Sequence, residues 1–585
     1  MRIAIPKFTV LLFLVVLFST RLSFGEIEVH PEPGGNSHRS DSYSVEVFNG
    51  SSWVSSYVYK YSRMSVTLWH NGASPAVNFT TFGVSGPTKV RITKTGSSIT
   101  SADVSPKSKD ISLQVNNGKA TVTVNQNHKI WLVLNGDDAN PLFIFADGFK
   151  PPVPAGATYF GPGVHQIAPG NSNHYLADSY ETIYLDGGAW VMGTIDLRGT
   201  TDVKVMGPGI LSGELWAPET IDQLPFEEKK RYMMIRGDWA GNNAAVEGIT
   251  IVASPSFNFF AGTRTASNVK LLSPWYYSTD GFQAVNHVDQ SFAFVGDNVF
   301  FPMWAGVGKD HVTVTNSFAG TTNNSVFVGG FWGNAATNSF TAIADNIDIK
   351  TYNSDAWVAY GSPLTAALVE IWIDNADDTK QLSNQTYQNI RVEGNVAAPL
   401  IQLKNMVYPW GGPNAFDPPL DNAYNMMFKN IFLQGTQKLK SEIKGWDAEN
   451  AIDGVTLQSI NINGARVNAS NFSTYFDVNS WVYGMTVSQP DTTVPATAIT
   501  SPLNNGRVTA SSTVTITATA SDNTSVQRVE FSVNSIFVCT DTNAPYTCAW
   551  DVPKGANKKY KLQTKAYDAA GNSRISTAVQ VTSKN

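Results

Sequence analysis

Cysteine is almost missing: the 585 residues hold two, Cys539 and Cys548. No disulfide framework can staple a chain of this length with one pair. Two thiols without a neighbouring histidine also supply too few ligands for zinc, and no other metal constellation is visible in the sequence. Charge is scarce as well, at 15% Asp, Glu, Lys and Arg, with a net charge of -6. No stretch is basic enough to predict a nucleic-acid partner. Beyond the first residues no apolar run is long enough to cross a bilayer. Helical periodicity and regular leucine spacing are lacking, which excludes helical solenoids and leucine-rich repeats.

What the chain does have is glycine (46), tryptophan (15) and tyrosine (21). That is the composition of a turn-rich, β-rich extracellular protein. Arg2 and Lys7 flank the start of an apolar run from Val10 to Phe18, followed by the small-x-small tripeptide Ser23-Phe24-Gly25. Residues 1–25 are therefore expected to be a signal peptide and the protein to be secreted, with an uncleaved anchor as the alternative. In an oxidising compartment Cys539 and Cys548 are expected to pair; two buried free thiols are the alternative.

Four segments follow. Residues 26–150 alternate apolar and polar in short runs such as Tyr43-Ser44-Val45-Glu46-Val47 and Ala120-Thr121-Val122-Thr123-Val124, which predicts a β-sandwich. Residues 151–487 repeat a signature in which a polar or glycine residue precedes an apolar one and a strand. It recurs at Ile249, Val269, Phe292, Val312, Ile347, Ile390, Ile431 and Val455, at intervals of 20, 23, 20, 35, 43, 41 and 24. Such a period without helical patterning predicts a parallel β-helix, with loop insertions in the longer coils. Residues 488–495 read as a Pro/Thr linker. Residues 496–585 alternate again and carry Ala566-Tyr567-Asp568-Ala569-Ala570-Gly571-Asn572, which resembles the late-strand turn of bacterial Ig-like modules and implies a spacer or a contact with glycan or cell surface.

Stacked coils bring residues one coil apart into contact, about 4.8 Å from strand to strand. Asp280, in Ser278-Thr279-Asp280-Gly281, and Asp297, in Gly296-Asp297-Asn298, are 17 residues apart. That is close to one coil, so the two are expected at matching places above one groove. Paired carboxylates flanking a sugar linkage are what glycoside hydrolysis needs. Their proximity is expected to raise one pKa. Trp275, Tyr276 and Trp304 are candidate sugar platforms. Asp-Gly and Gly-Asp are also ordinary turn dipeptides. Glu370 is expected to face solvent from a strand edge, and His287 and His311 to be surface or turn residues.

The stretches Ser42 to Val47, Ser56 to Tyr59, Tyr159 to His165, Ile183 to Gly193 and Gly207 to Glu214, together with the two aspartate segments, resemble glycoside hydrolase family 49, the dextranases and isopullulanases. The Gly-Ile-Leu-Ser-Gly run is shared with the wider polygalacturonase-like clan. The resemblance covers roughly residues 26–485. It implies an N-terminal β-sandwich on a right-handed parallel β-helix, with inverting hydrolysis of an α-glucan and no cofactor. It places Asp297 on the family's general acid and Asp280 on a base candidate. Asn298 stands where the family has a third aspartate, and Phe301 near the place of a family lysine. Trp332 falls at the end of a family Gly-Trp stretch and, with Asn298, joins the substrate-binding candidates. A monomer acting on polysaccharide is expected. Two alternatives stay open. One is a polygalacturonase-like hydrolase, which needs a basic groove. The other is a non-catalytic β-helix that binds glycan as an adhesin.

Overall fold

The computed structural model describes residues 24–34, 38–61, 76–238, 243–260, 262–274, 279–301, 311–321, 325–332, 339–351, 367–374, 381–396, 398–405, 422–488, 491–523, 525–568 and 571–585. The apolar run of the expected signal peptide, and Trp275, Tyr276 and Trp304, lie outside these residues, as do the side chains of Phe301, His311 and Trp332. The ring of Phe24 meets Phe48 edge-on at 4.9 Å.

Alternation builds the first sandwich. In Tyr43–Phe48 the side chains of Tyr43, Val45 and Val47 point inward and are buried, as period-two patterning requires. One sheet joins Trp53–Ser56, Tyr43–Phe48, Thr88–Lys94, Lys119–Val124 and Leu113–Asn116; the other centres on Val77–Val84, Leu142–Asp147 and His128–Leu134. Their apposed faces form one apolar core.

The central region is a right-handed parallel β-helix. Each early coil gives three short strands, for example Thr263–Ser267, Lys270–Ser273 and Phe282–Gln283, and each stacks in parallel on its equivalent in the next coil. The repeated polar-then-apolar signature has a structural cause. Asn346, Asn389 and Asn430 turn the corner with φ of 59°, 54° and 52° respectively, a left-handed conformation that asparagine tolerates. The amide of Asn430 donates to Asn389 at 2.9 Å, and that of Asn389 to Asp345 at 2.6 Å. A polar ladder thus runs up the corner while Ile347, Ile390 and Ile431 stack inside in register. Register also corrects part of the expected repeat: Ser291, not Phe292, is level with Val269, since Lys270 pairs with Phe292. Val312 and Val455 belong to the strand before the corner, not to the one after it.

The back sheet of the sandwich packs on the β-helix through an aromatic seam. Trp131 meets Phe294 at 4.6 Å, and Phe143 and Phe145 each meet Phe292 at 5.3 Å. Beneath the seam, Lys270 donates to Asp147 at 2.7 Å. After the β-helix the chain forms a second, Ig-like sandwich with its own core around Ile516, Phe531, Trp550 and Leu562. Cys539 and Cys548 are disulfide-bonded there, as expected. No helix among the described residues is long and apolar enough to cross a membrane.

Candidate active site

One sheet of the β-helix is the scaffold for the acidic residues. It stacks Phe282–Gln283, Phe300–Phe301, Phe327–Trp332, Val369–Asp374, Ile401–Asn405, Ser441–Lys444 and Phe476–Val478. Alternation sorts its two faces. Phe259, Phe282, Phe300 and Phe327 stack inward at 5.3, 5.7 and 5.3 Å. The next position outward runs Gln283 on the first strand and then Val328, Glu370, Gln402 and Glu442 in register. Asp280 and Asp297 lie at the start of this sheet.

Asp280 sits two residues before Phe282, on the turn leading into the strand. The Gly281 N–H donates to the Asn298 carbonyl and that of Phe282 to the Val299 carbonyl, both at 2.8 Å, and Phe282 pairs with Phe300. Asn298, not Asp297, is therefore level with Asp280, and Asp297 comes one residue earlier. The spacing argument found the right neighbours and misjudged which was in register, because the coil here takes 18 residues.

The residue types of this turn have definite tasks. The Thr279 hydroxyl donates to the Ser273 carbonyl at 2.8 Å and accepts from the Gly296 N–H at 2.9 Å, so it ties the Asp280 turn to the Asp297 turn. Asn258 donates from its backbone and its amide to the Asp280 carbonyl, at 2.8 and 2.9 Å. Gly281 lies so close to the next coil that a Cβ there would stand 2.3 Å from the Val299 carbonyl oxygen. The Thr-Asp-Gly run is thus a coil-to-coil clamp that also presents a carboxylate.

The electrostatics are those of a buried acid pair. Asp280 is 5% exposed and Asp297 half-buried. One oxygen of Asp280 accepts from the Asn298 N–H at 3.2 Å and from the Asn298 amide at 3.3 Å; Asp297 accepts from the same N–H at 3.0 Å. The two carboxyls hydrogen-bond each other. Burial pushes Asp280 up to about 7, against the pull of the Asn298 donors. Burial, and then the charge of Asp280, hold Asp297 well above the usual carboxylate range. Near neutrality the pair therefore shares a proton.

Glu370 departs from expectation. It is 2% exposed, not solvent-facing, and it accepts a hydrogen bond from the Ser325 hydroxyl. Its charge is among those that raise Asp297. Sequence reading set it aside because alternation shows which face a residue takes but not whether that face is covered. His287 lies in a different sheet, bonded to Thr313 at 2.9 Å, and takes no part in this cluster. Further along the outer face, Lys404 pairs with Glu442, and Lys444 lies 3.0 Å from Glu442 and 2.7 Å from Asp477. Away from this sheet, the structure gathers an acidic group that the sequence did not reveal. Carboxylate oxygens of Asp491, Asp522 and Asp568 lie within 4.8 Å of one another. Acidic side chains alone do not define a cation site.

Residues 495–563 match the Bacterial Ig domain family. No curated protein matches the chain in sequence. Among solved structures, Dex49A from Penicillium minioluteum is similar with a TM-score of 0.61 and 19% identity, over 79% of this chain and 96% of that one. The likeness is one of fold. The fibronectin(III)-like modules of Clostridium thermocellum CbhA align at 30% identity over 15% of this chain and 96% of theirs, with a TM-score of 0.14.

Proposed function

We propose that the protein is a secreted glycoside hydrolase that cleaves a dextran-like α-glucan, with Asp297 as proton donor. The observation that carries this reading is the hydrogen-bonded pair Asp280–Asp297, held above the ordinary carboxylate range on a β-helix sheet. A carboxyl that keeps its proton near pH 7 can deliver it to a leaving glycosidic oxygen. The β-helix likeness to Dex49A and the family 49 motifs support the α-glucan as substrate class. Asn298 cannot act as a carboxylate, but it donates two hydrogen bonds to Asp280 and so helps to hold the charged form of its neighbour.

An acidic polysaccharide fits less well. Lys404 and Lys444 on the outer face are already paired with Glu442 and Asp477. Uronates need cations that are available to them.

Incubation with dextran, pullulan and polygalacturonate tests the reading through the reducing ends released. Dextran is expected to be cut, and Asp297→Asn to lower kcat by about 10²–10⁴. Release from polygalacturonate alone would replace the substrate class, and release from none would favour a glycan-binding β-helix.

A further inference from the structure

The register that sets Asp280 beside Asn298 continues toward the N-terminus. The Asn258 N–H donates to the Asp280 carbonyl at 2.8 Å, and the Met234 N–H to the Phe257 carbonyl at 3.1 Å. Met233, Phe257, Asp280 and Asn298 are therefore level on four successive coils. Phe257 stands one strand spacing, about 4.8 Å, from Asp280 along the backbone column. Alternation then sends Phe259 into the core and Phe260 to the opposite face.

Two coils before the acids the chain makes an insertion over this face. Between Ile210–Ser212 and Ile235–Arg236 it takes residues 213–234, whereas the same passage one coil later, between Thr250–Val252 and Phe259–Phe260, takes residues 253–258. The insertion is clipped down at both ends. Trp216 stacks on His174 with ring centres 5.1 Å apart, and Tyr232 meets these two rings edge-on at 5.4 and 5.2 Å. Its short helix Phe226–Lys229 sets Phe226 edge-on to Phe260 at 5.9 Å, and Phe260 meets Phe257 at 5.8 Å. Phe260 and Met233 are buried and seat the insertion, Phe257 is half-buried, and Phe226 remains 47% exposed. The Lys230 ammonium lies 4.9 Å from the centre of the Phe226 ring and pairs with Glu227 at 2.5 Å.

A single exposed phenylalanine means little. Here the ring contacts run unbroken from a residue level with Asp280 to an exposed ring that has an ammonium and a carboxylate at its rim. A fixed apolar surface with a few polar groups beside it suits a sugar. The C–H face of a pyranose packs on the ring, and its hydroxyls accept from the ammonium and donate to the carboxylate.

We propose that Phe226, with Lys230 and Glu227, forms a binding subsite for a glucosyl unit of the substrate chain, reached from the acid pair along Phe257 and Phe260. This rests on the glycosidase reading above. The subsite holds a sugar away from the bond that breaks, so it binds ground state and transition state alike and its effect falls on KM.

The test measures KM and kcat on dextran, and the Kd for dextran by affinity electrophoresis in the Asp297→Asn background, where the polymer stays uncut. Phe226→Ala should raise KM and Kd about ten-fold, with kcat within about two-fold of wild type. Phe226→Leu keeps apolar bulk against Phe260 but has no flat ring, and it should behave as the alanine variant does. Phe226→Trp should restore the wild-type KM. Phe149→Ala, at a ring that is 45% exposed just after the sandwich strand Leu142–Asp147, is the control and should change neither constant. The subsite is overturned if Phe226→Ala stays within about two-fold of wild type in KM and Kd, if Phe226→Leu recovers the loss, which would make the ring a packing element, or if kcat falls with KM unchanged. A wild type that binds dextran through Phe226 and releases no reducing ends from any α-glucan overturns the glycosidase reading and leaves the subsite standing. A wild type that neither binds nor cuts an α-glucan overturns both.

Discussion

Asp147 and Asp280 are equally hidden, each 5% exposed, and they titrate in opposite directions. Asp147 ends the sandwich strand that packs on the β-helix. Burial pushes its pKa up, but Lys270 at 2.7 Å and Lys129 at 3.9 Å more than offset this, and the group is held below its usual value. Among the described residues Asp280 meets the Asn298 donors and an acidic neighbour, and burial wins. Burial alone does not tell a structural carboxylate from a reactive one. The sign of the nearest charge does. The seam sets two lysines against Asp147, whereas among the described residues no cation is paired with Asp280.

The largest effect is expected from breaking the seam. Asp147→Ala leaves the Lys270 ammonium, with a fully buried side chain, facing the carbonyls of Gly248 and Asn268 without its carboxylate. The loss should be about 3–5 kcal/mol of stability, as for other buried pairs with one partner removed. Chemical denaturation measures it, and the double variant Asp147→Leu/Lys270→Met should recover most of it. A loss under about 1 kcal/mol would mean that the pair contributes little beyond its packing.

The second prediction sets the two carboxylates against each other through pH. In the unfolded chain both titrate near about 4. Asp147, lowered in the fold, adds stability that is present above that value and lost as pH falls below it. Asp280, raised to about 7, behaves in reverse: below pH 4 both states hold the proton, and between about 4 and 7 the unfolded state releases it first, so stability falls as pH rises. Asp280→Asn should therefore be near neutral at pH 4 and stabilising by roughly 2–4 kcal/mol at pH 8, from a shift of about three units at about 1.4 kcal/mol each, reduced by coupling to Asp297. Melting curves of both proteins at the two pH values decide it. A variant equally stabilising at both would show that packing, not titration, is the cause.

The same contrast explains what could be read from sequence. The coils were legible because Asn389-Ile390 and Asn430-Ile431 repeat one corner, left-handed outside and apolar inside. Asp280 and Asp297 were legible as neighbours because one coil is nearly their spacing. Their register was not, since a single residue more or less in a turn leaves no mark in composition. Glu370 was missed for a different reason. Val369-Glu370-Ile371 alternates as any half-exposed strand does, and the burial of its outer face depends on contacts far along the chain. Lys129 and Lys270 were not singled out at all, because each is a lone lysine in its strand until the sandwich docks.

The smallest effect sharpens the comparison at the Asp280 turn. Thr279 is 1% exposed, and its hydroxyl serves the Ser273 carbonyl and the Gly296 N–H together. Thr279→Val keeps the shape and removes both bonds, and it should cost about 1–3 kcal/mol, the penalty of a buried polar group left unmade. Thr279→Ser keeps the hydroxyl and should cost less than half of that. The informative readout is activity. If the clamp serves only the coil, kcat per folded molecule is unchanged in both. If it holds Asp297 against Asp280, as the geometry argues, Thr279→Val lowers kcat and moves the alkaline limb of the pH profile to lower pH. The carboxyls then separate, Asp297 loses the negative neighbour that keeps it protonated, and its pKa falls toward the ordinary range. Thr279→Ser, with the bridge intact, should leave that limb in place.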